Sequence, residues 1–317
     1  MTTEKLTLVK TNFSHHVSMD LYHEFESNII GRNNWETVNG IGSVGARILR
    51  QILKIVPPIA IPIKREKNYV VLGFQKEKFF PYFHFSATKV LWMYDAWEPV
   101  FDDIEKAIRQ YKINLLFTAS KQSAEYFNTL SIGNFHAEWV PEAVDVSHYK
   151  FTNYSARSTD VLQLGRKWPW YHDQIKRLEN ELTYKYEKKR GQIIFPTRAE
   201  FIDGLANARI SICVPSNITH PEMTGSISTL TNRYLQSMAS RCLIVGKLPY
   251  DMQFLFDYNP LIEIDEEKPA EQIKEILSNY SSYIPLIEKN YETVKAQHNW
   301  VARIEMMEKF IASNHKS

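Results

Sequence analysis

The sequence predicts an α/β protein built as two parallel-sheet domains. Three observations carry this expectation. Short apolar runs alternate with helical periodicity along most of the chain, and one polar, aperiodic stretch interrupts that rhythm near the midpoint. The 317 residues also amount to about two domains of average length.

Strands are expected first at Leu6–Val9, Tyr69–Phe74, Lys89–Met93, Asn114–Thr118 and Ala137–Val140. A second set falls at Val161–Leu164, Gln192–Phe195, Ile210–Val214, Leu243–Val245 and Leu261–Ile264. Helical patterns lie between them: Val44–Ile55, Val100–Tyr111, Lys121–Leu130, Tyr171–Tyr186, Arg198–Asn207 and about 231–240. Alternation of this kind implies parallel sheets joined by right-handed crossovers. After Ile264 the pattern is helical, over Pro269–Asn279, Tyr283–Gln297 and Trp300–Ser313. Asp145 to Thr159 is polar and lacks a period, so it reads as the linker between domains 1–150 and 151–297.

Hydrophobic residues at 44% and charged residues at 23% indicate a globular chain. Thirty-eight Lys and Arg against 36 Asp and Glu leave a net charge of +2, which gives no general reason to expect nucleic acid as a partner. Cys213 and Cys242 each sit in an apolar run. Two such residues make neither a disulfide scaffold nor a zinc site, and read as buried free thiols of a reducing compartment. The first ten residues lack an apolar signal core, and no run approaches the ~18 apolar residues of a membrane span. The expected location is the cytoplasm, with room for peripheral contact at the inner face of the membrane.

Gly165-Arg166-Lys167 directly follows an expected strand. Glycine allows a sharp turn and close backbone approach, and the two cations suit phosphate oxygens; a solvated basic loop is the alternative. The stretch from Pro221 carries Glu222, Thr224, Gly225, Ser226 and Ser228, then enters a helix at about Thr231. A hydroxyl-rich loop feeding a helix N-terminus is suited to an anion. Thr229 or Thr231 is placed to cap that helix. Arg233 puts a cation in the first turn, where the helix dipole disfavours one, so a bound diphosphate would account for it. Asn232, Arg233 and Gln236 share one helix face.

In the first half, Asp95 lies between Trp92 and Trp97 at the end of a strand. Contact with a sugar hydroxyl and N-capping of the next helix are both open readings there. His15 and His16 follow the first strand, where they serve either as phosphate or acid–base groups or as plain surface. Gly40-Ile-Gly42-Ser-Val-Gly45 matches a dinucleotide fingerprint in form, but Arg32–Asn39 before it does not read as a strand. The helix Val44–Val56 carries Arg47, Arg50 and Lys54 on an apolar frame. It suits an anionic membrane surface or, alternatively, a core helix with snorkelling ends.

Several of these elements resemble GT-B-fold nucleotide-sugar glycosyltransferases, in particular the retaining group-1/group-4-like enzymes and their spore-maturation-type branch. The resemblance runs in order over most of residues 85–310. It rests on Gly165-Arg166-Lys167, on Thr231–Val245, on Trp139–Asp145 and on the Asn299-Trp300…Arg303 pattern. It implies two Rossmann-like domains facing across a cleft, with a C-terminal helix of about 298–317 returning to an acceptor-binding first domain. It also implies that Arg166 and Lys167 hold the donor diphosphate, and that Gln236 stands where the family has a ribose-binding Glu. Arg233 and the Thr224–Gly225 loop join the diphosphate site, while Thr197 and Arg198 lie near the base and ribose. The family's spaced Glu pair is absent in strict form; Glu222 is the remaining candidate to face the sugar, with Asp95 and His15 as further catalytic candidates. The implied reaction is retaining, needs no metal and no cofactor, and belongs to cell-surface polysaccharide synthesis. Its partners are a nucleotide-sugar donor and a glycan, lipid-linked or other hydroxyl acceptor. A non-catalytic binding relic of the same fold and a nicotinamide-dependent oxidoreductase are the alternatives.

Overall fold

The structure is a computed structural model that describes residues 5–11, 19–55, 67–73, 79, 81–189 and 193–314. By its contacts the chain divides into two compact units. One takes in the first strand, Met19–Pro141 and the chain from Arg303 onward; the other is Glu142–Ala302.

The first unit holds a six-stranded sheet of β1 (Leu6–Val9), β2 (Trp35–Val38), β3 (Lys67–Leu72), β4 (Ser86–Met93), β5 (Leu115–Thr118) and β6 (His136–Trp139). All pairings are parallel, in the order β2-β1-β3-β4-β5-β6. Its helices are α1 (Asp20–Ile29), α2 (Ser43–Ile55), α3 (Phe101–Tyr111) and α4 (Lys121–Asn128). The second unit holds β7 (Thr159–Gln163), β8 (Tyr184–Tyr186), β9 (Ala208–Cys213), β10 (Leu243–Gly246) and β11 (Ile262–Glu263), again parallel, in the order β11-β10-β9-β7-β8. Its helices are α5 (Pro169–Lys176), α6 (Arg198–Ala206), α7 (Ser216–Thr219), α8 (Pro221–Thr224), α9 (Asn232–Ala239), α10 (Pro269–Ser278) and α11 (Ile284–Gln297). The last helix, α12 (Trp300–Asn314), begins in the second unit and continues in the first.

Central strands are buried on both faces, so they read as unbroken apolar runs. Every residue of β1, β5 and β10 is buried. In the second unit successive residues point to opposite faces and separate two cores. Val161, Ile210, Ile212 and Val245 pack with Tyr171 and Ile175 of α5 and Ile273 and Ile276 of α10. Leu162 packs with Phe201 and Leu205 of α6, and Ile244 with Tyr234, Leu235 and Met238 of α9. Helices therefore cover both faces of this sheet, as a doubly wound sheet requires.

Edge strands account for the differences from the sequence reading. β2 buries only Trp35 fully and holds Glu36 between Lys5 and Lys67, at 3.2 and 3.3 Å. A half-exposed charged strand carries little apolar signal, which is why Arg32–Asn39 did not read as one. The Gly40–Gly45 motif therefore does follow a strand and runs into the first turn of a helix, although β3 ends on Leu72 without an acidic residue. On the other sheet, edge strand β8 falls inside the expected helix Tyr171–Tyr186, and α5 stops at Lys176. The expected strand Gln192–Phe195 is not found: Gln192 lies outside the described residues, and Ile193–Phe195 is irregular.

The polar stretch from Asp145 to Thr159 is packed onto the second unit. Arg157 is buried, and its guanidinium donates to the carbonyls of Thr152, Ala208, Arg241 and Ser240 at 3.1, 2.6, 2.7 and 3.2 Å. It also lies 4.9 Å from the Tyr154 ring centroid. The contact boundary thus falls at Pro141, ahead of this stretch. In the first unit, α12 is fastened by Arg303 Nε donating to the Pro141 carbonyl at 3.1 Å and by Trp35 Nε1 donating to Glu308 at 2.7 Å. Burial lowers the Arg303 pKa to about 10.

Candidate functional site at the end of the second sheet

In a parallel sheet all strands end at the same edge, and open sheets bind ligands where the strand order reverses. In the order β11-β10-β9-β7-β8, β8 lies on one side of β7 and β9 on the other. The reversal therefore falls between β7 and β9. The loops leaving these strands are 164–168 and 214–231, the two stretches singled out for phosphate binding.

Gly165 adopts φ +69°, in the left-handed region that favours glycine. The turn brings the Leu164 carbonyl to Arg233, whose Nη1 donates to it. A Cβ on Gly165 would lie 2.9 Å from Arg233 Nη2, so the arginine occupies the space that a side chain would fill. Arg233 is half-buried, and burial holds its pKa below the usual arginine range. The first turn of α9 and the Gly165 loop are thus one assembly. One arm of Arg233 is committed to protein, so the cation is a fixed element of the loop, not a free reach.

Arg166 is exposed, and its Nη1 lies 2.9 Å from Met223 Sδ on α8. Glu222, the residue before Met223 on α8, is exposed. Lys167 turns toward β8: Nζ donates to the Glu187 carbonyl at 2.7 Å and lies 5.0 Å from the Tyr186 ring centroid. Gly225 ends α8 at φ +62°, again a glycine conformation. Thr224 is buried, and its hydroxyl donates to the His220 carbonyl at 3.1 Å, so it shapes the loop from inside.

Thr231 holds the N-cap position of α9, but its side chain makes no cap bond. Thr229 does not hold the cap position, and its hydroxyl donates to Asp251 at 2.6 Å. The first-turn amides of α9 thus receive no cap bond from Thr231, and a helix N-terminus of this kind suits an anion. Two shielded oxygens, Asn232 Oδ1 on α9 and Asn217 Oδ1 on α7, have no hydrogen-bond partner among the described residues. Such atoms cost about 1–3 kcal/mol each if nothing meets them, so they point to a donor-bearing ligand or water at this edge. Asn217 was missed in the sequence because a lone Asn after a strand has no distinguishing spacing. Gln236 lies one turn beyond Asn232 and is only 8% exposed. Thr197 caps α6 in a reciprocal box with Glu200, and Arg198 Nη2 lies 3.1 Å from His148 Nδ1. Both follow β8, at the same edge of the sheet as the other loops.

Behind the Gly165 loop, His172, Tyr184 and Gln163 form a buried cluster. His172 Nδ1 lies 2.8 Å from the Tyr184 hydroxyl and 3.3 Å from Gln163 Oε1, and Tyr184 donates to the same Gln163 oxygen. Gln163 is the last residue of β7, so this cluster anchors the strand end from which the loop departs. Burial, aided by the Lys167 charge, lowers the His172 pKa.

In the first unit, Asp95 is exposed just beyond β4. It caps no helix: the N-cap of α3 is Val100. His15 lies outside the described residues.

No family model matches the chain, and no curated protein matches it significantly in sequence. Solved structures do match. The fold is that of the GT-B glycosyltransferases, with two Rossmann-like units, as the sequence resemblance implied. Among the similar structures is Anabaena HepE, solved with UDP and glucose (TM-score 0.63, 11% identity, 98% of this chain and 100% of that one) and with UDP-glucose (TM-score 0.63, 12% identity, 98% and 99%). Sucrose-phosphate synthase of Thermosynechococcus elongatus matches at TM-score 0.57 and 10% identity, over 99% and 88% of the two chains. The pneumococcal O-GlcNAc transferase GtfA, solved with UDP and GlcNAc, matches at TM-score 0.53 and 11% identity, over 86% of this chain and 60% of that one.

Proposed function

We propose that this chain is a glycosyltransferase that moves a sugar from a nucleotide-diphosphate donor to a hydroxyl acceptor. The observation that carries the reading is the junction of the Gly165 loop with the first turn of α9 at the strand-order reversal. Transfer breaks the bond between the anomeric carbon and the diphosphate oxygen, and the bonding electrons leave with the diphosphate. The acceptor oxygen bonds to the anomeric carbon and gives its proton to the departing diphosphate. What the protein must supply is fixed positive charge where the leaving group develops negative charge. Arg166, Lys167, Arg233 and the α9 amides supply it. Thr231, Asn232 and Gly225 shape the same end, and Thr197, Arg198 and Gln236 extend it toward base and ribose. Glu222, next in sequence to the Met223 that Arg166 meets, faces the sugar. Asp95 and His15 are the further catalytic candidates, and the acceptor is a glycan, a lipid-linked compound or another hydroxyl compound. Transfer is retaining, uses neither metal nor cofactor, and serves polysaccharide synthesis in the cytoplasm.

A thermal-shift screen against UDP, GDP, ADP, CMP and their sugars tests the binding. Nucleoside-diphosphate release with EDTA present then tests turnover without metal. Stabilisation by at least one nucleotide sugar, with chelator-resistant turnover, is expected. No stabilisation by any of them overturns the donor-site reading, and turnover restored only by Mg²⁺ or Mn²⁺ overturns metal independence. A second reading is favoured by Gln236, an amide 8% exposed where the resemblance implies a carboxylate. It is a relic that binds donor without turnover, and binding without product in the same assay identifies it.

A further inference from the structure

α2 (Ser43–Ile55) carries an apolar stripe that points to solvent. Val44, Ile48 and Ile52 recur every four residues, so they line one face of the helix. They are 68%, 58% and 46% exposed. A core helix would bury this stripe, so the alternative of a core helix with snorkelling ends does not hold for it. Contiguous exposed apolar side chains on a soluble unit mark a place of contact. Charge identifies what is contacted. Arg47 is exposed on the same helix. The sequence has no acidic residue between Glu36 and Glu66, while Arg47, Arg50, Lys54, Lys64 and Arg65 lie within that interval. A helix with an apolar face in an acid-free, basic stretch matches an anionic lipid surface. Its apolar residues enter the acyl boundary and its cations meet the headgroups. Val56, the last residue of the sequence-expected helix, lies outside the described residues.

We infer that the Val44–Ile48–Ile52 face of α2 docks this protein onto an anionic lipid bilayer. The inference is independent of the glycosyl-transfer reading, and its test measures no sugar transfer. The full chain is mixed with vesicles of phosphatidylcholine, and with vesicles of phosphatidylcholine and phosphatidylglycerol, and the bound fraction is read by cosedimentation. Binding is expected on the mixed vesicles only, and it weakens as salt rises. Ile48→Asp with Ile52→Asp lowers partitioning by about tenfold or more, because two apolar side chains no longer leave water. Arg47→Glu lowers it by about fivefold or more through charge alone. All three side chains are exposed, so melting temperatures should match the parent; should the double variant melt lower, Arg47→Glu decides. Absence of binding, equal binding to neutral vesicles, or binding unchanged in the variants overturns the inference. So does lipid-free self-association that the same variants abolish, since it would assign the stripe to a second copy of the chain.

Discussion

Arg233 and Gly165 occupy one space. The arginine, one residue inside the N-terminus of α9, donates to the carbonyl just before Gly165, and its Nη2 would lie 2.9 Å from any Cβ placed there. The tight turn after β7 and the first turn of α9 are therefore set by each other, although Gly165 and Arg233 are 68 positions apart in sequence.

Gly165→Ala should unsettle both. The left-handed backbone alone costs about 1–2 kcal/mol for a side-chain residue, and displacement of Arg233 adds to it. Equilibrium urea unfolding should show a lower midpoint, and titration with the nucleotide that the thermal-shift screen selects a weaker affinity. Trimming Arg233 to Ala removes the clash, so the double variant should lose less stability than the two single losses added together. A coupling of about 0.5–3 kcal/mol is the expected size for touching residues. Strict additivity would contradict the packing described.

Arg166→Ala separates binding from stability. The side chain is exposed. Its removal should leave stability within about 0.5 kcal/mol. Losing a charge-assisted bond to a phosphate should weaken binding of the nucleotide that the thermal-shift screen selects by about tenfold to a hundredfold. Calorimetric titration at unchanged melting temperature checks this, and an unaltered affinity would remove Arg166 from the donor site.

Arg157→Ala should do the reverse. Four carbonyls lose their donor, three of them in segments remote in sequence. A loss of at least about 3 kcal/mol is expected, with unchanged affinity for the screen-selected nucleotide in the protein that remains folded. Arg157→Lys should recover only part, since an ammonium lacks the planar fork. A variant as stable as the parent would mean that the 145–159 stretch is a linker after all.

His172 gives a pH dependence with a definite sign. Its folded pKa lies below the unfolded 6.5 because burial disfavours the charged ring. Between those two values the unfolded chain holds a proton that the folded chain does not. Stability contributed by the neutral ring is thus complete above 6.5 and is lost as pH falls toward the folded pKa. Melting of the parent and of His172→Gln at about pH 7.5 and about pH 5 should show the gap between them narrowing at the lower pH. A constant gap would show that His172 does not titrate across the transition.

Legibility in the sequence followed burial. β1, β5 and β10 are buried along their whole length, and their apolar runs located them within a residue or two. β2 and β8 have one side open to water, and their polar residues hid them. The Gly165-Arg166-Lys167 loop and α9 were each legible from local chemistry, and the resemblance grouped them. What local chemistry could not show is that Arg233 is tied to the Leu164 carbonyl, because that bond depends on β7 and β9 being neighbours. Thr224 and Thr231 illustrate the opposite error. A hydroxyl in a loop suggests a ligand, but Thr224 is spent on the His220 carbonyl, and Thr231 holds the cap position without making the cap bond.

The chain leaves the first unit at Pro141 and re-enters it at Arg303, and each crossing is stapled. Arg303 bonds the Pro141 carbonyl on one side, and Val144 N bonds the His298 carbonyl at 3.1 Å on the other. During translation the second unit has its full complement of residues once Ala302 emerges. The first unit has most of its strands much earlier, yet Trp35 and Pro141 must wait for Glu308 and Arg303. The half of the protein that is synthesised first is therefore the half completed last, and a nascent chain exposes the surface beneath α12 until its final turns leave the ribosome.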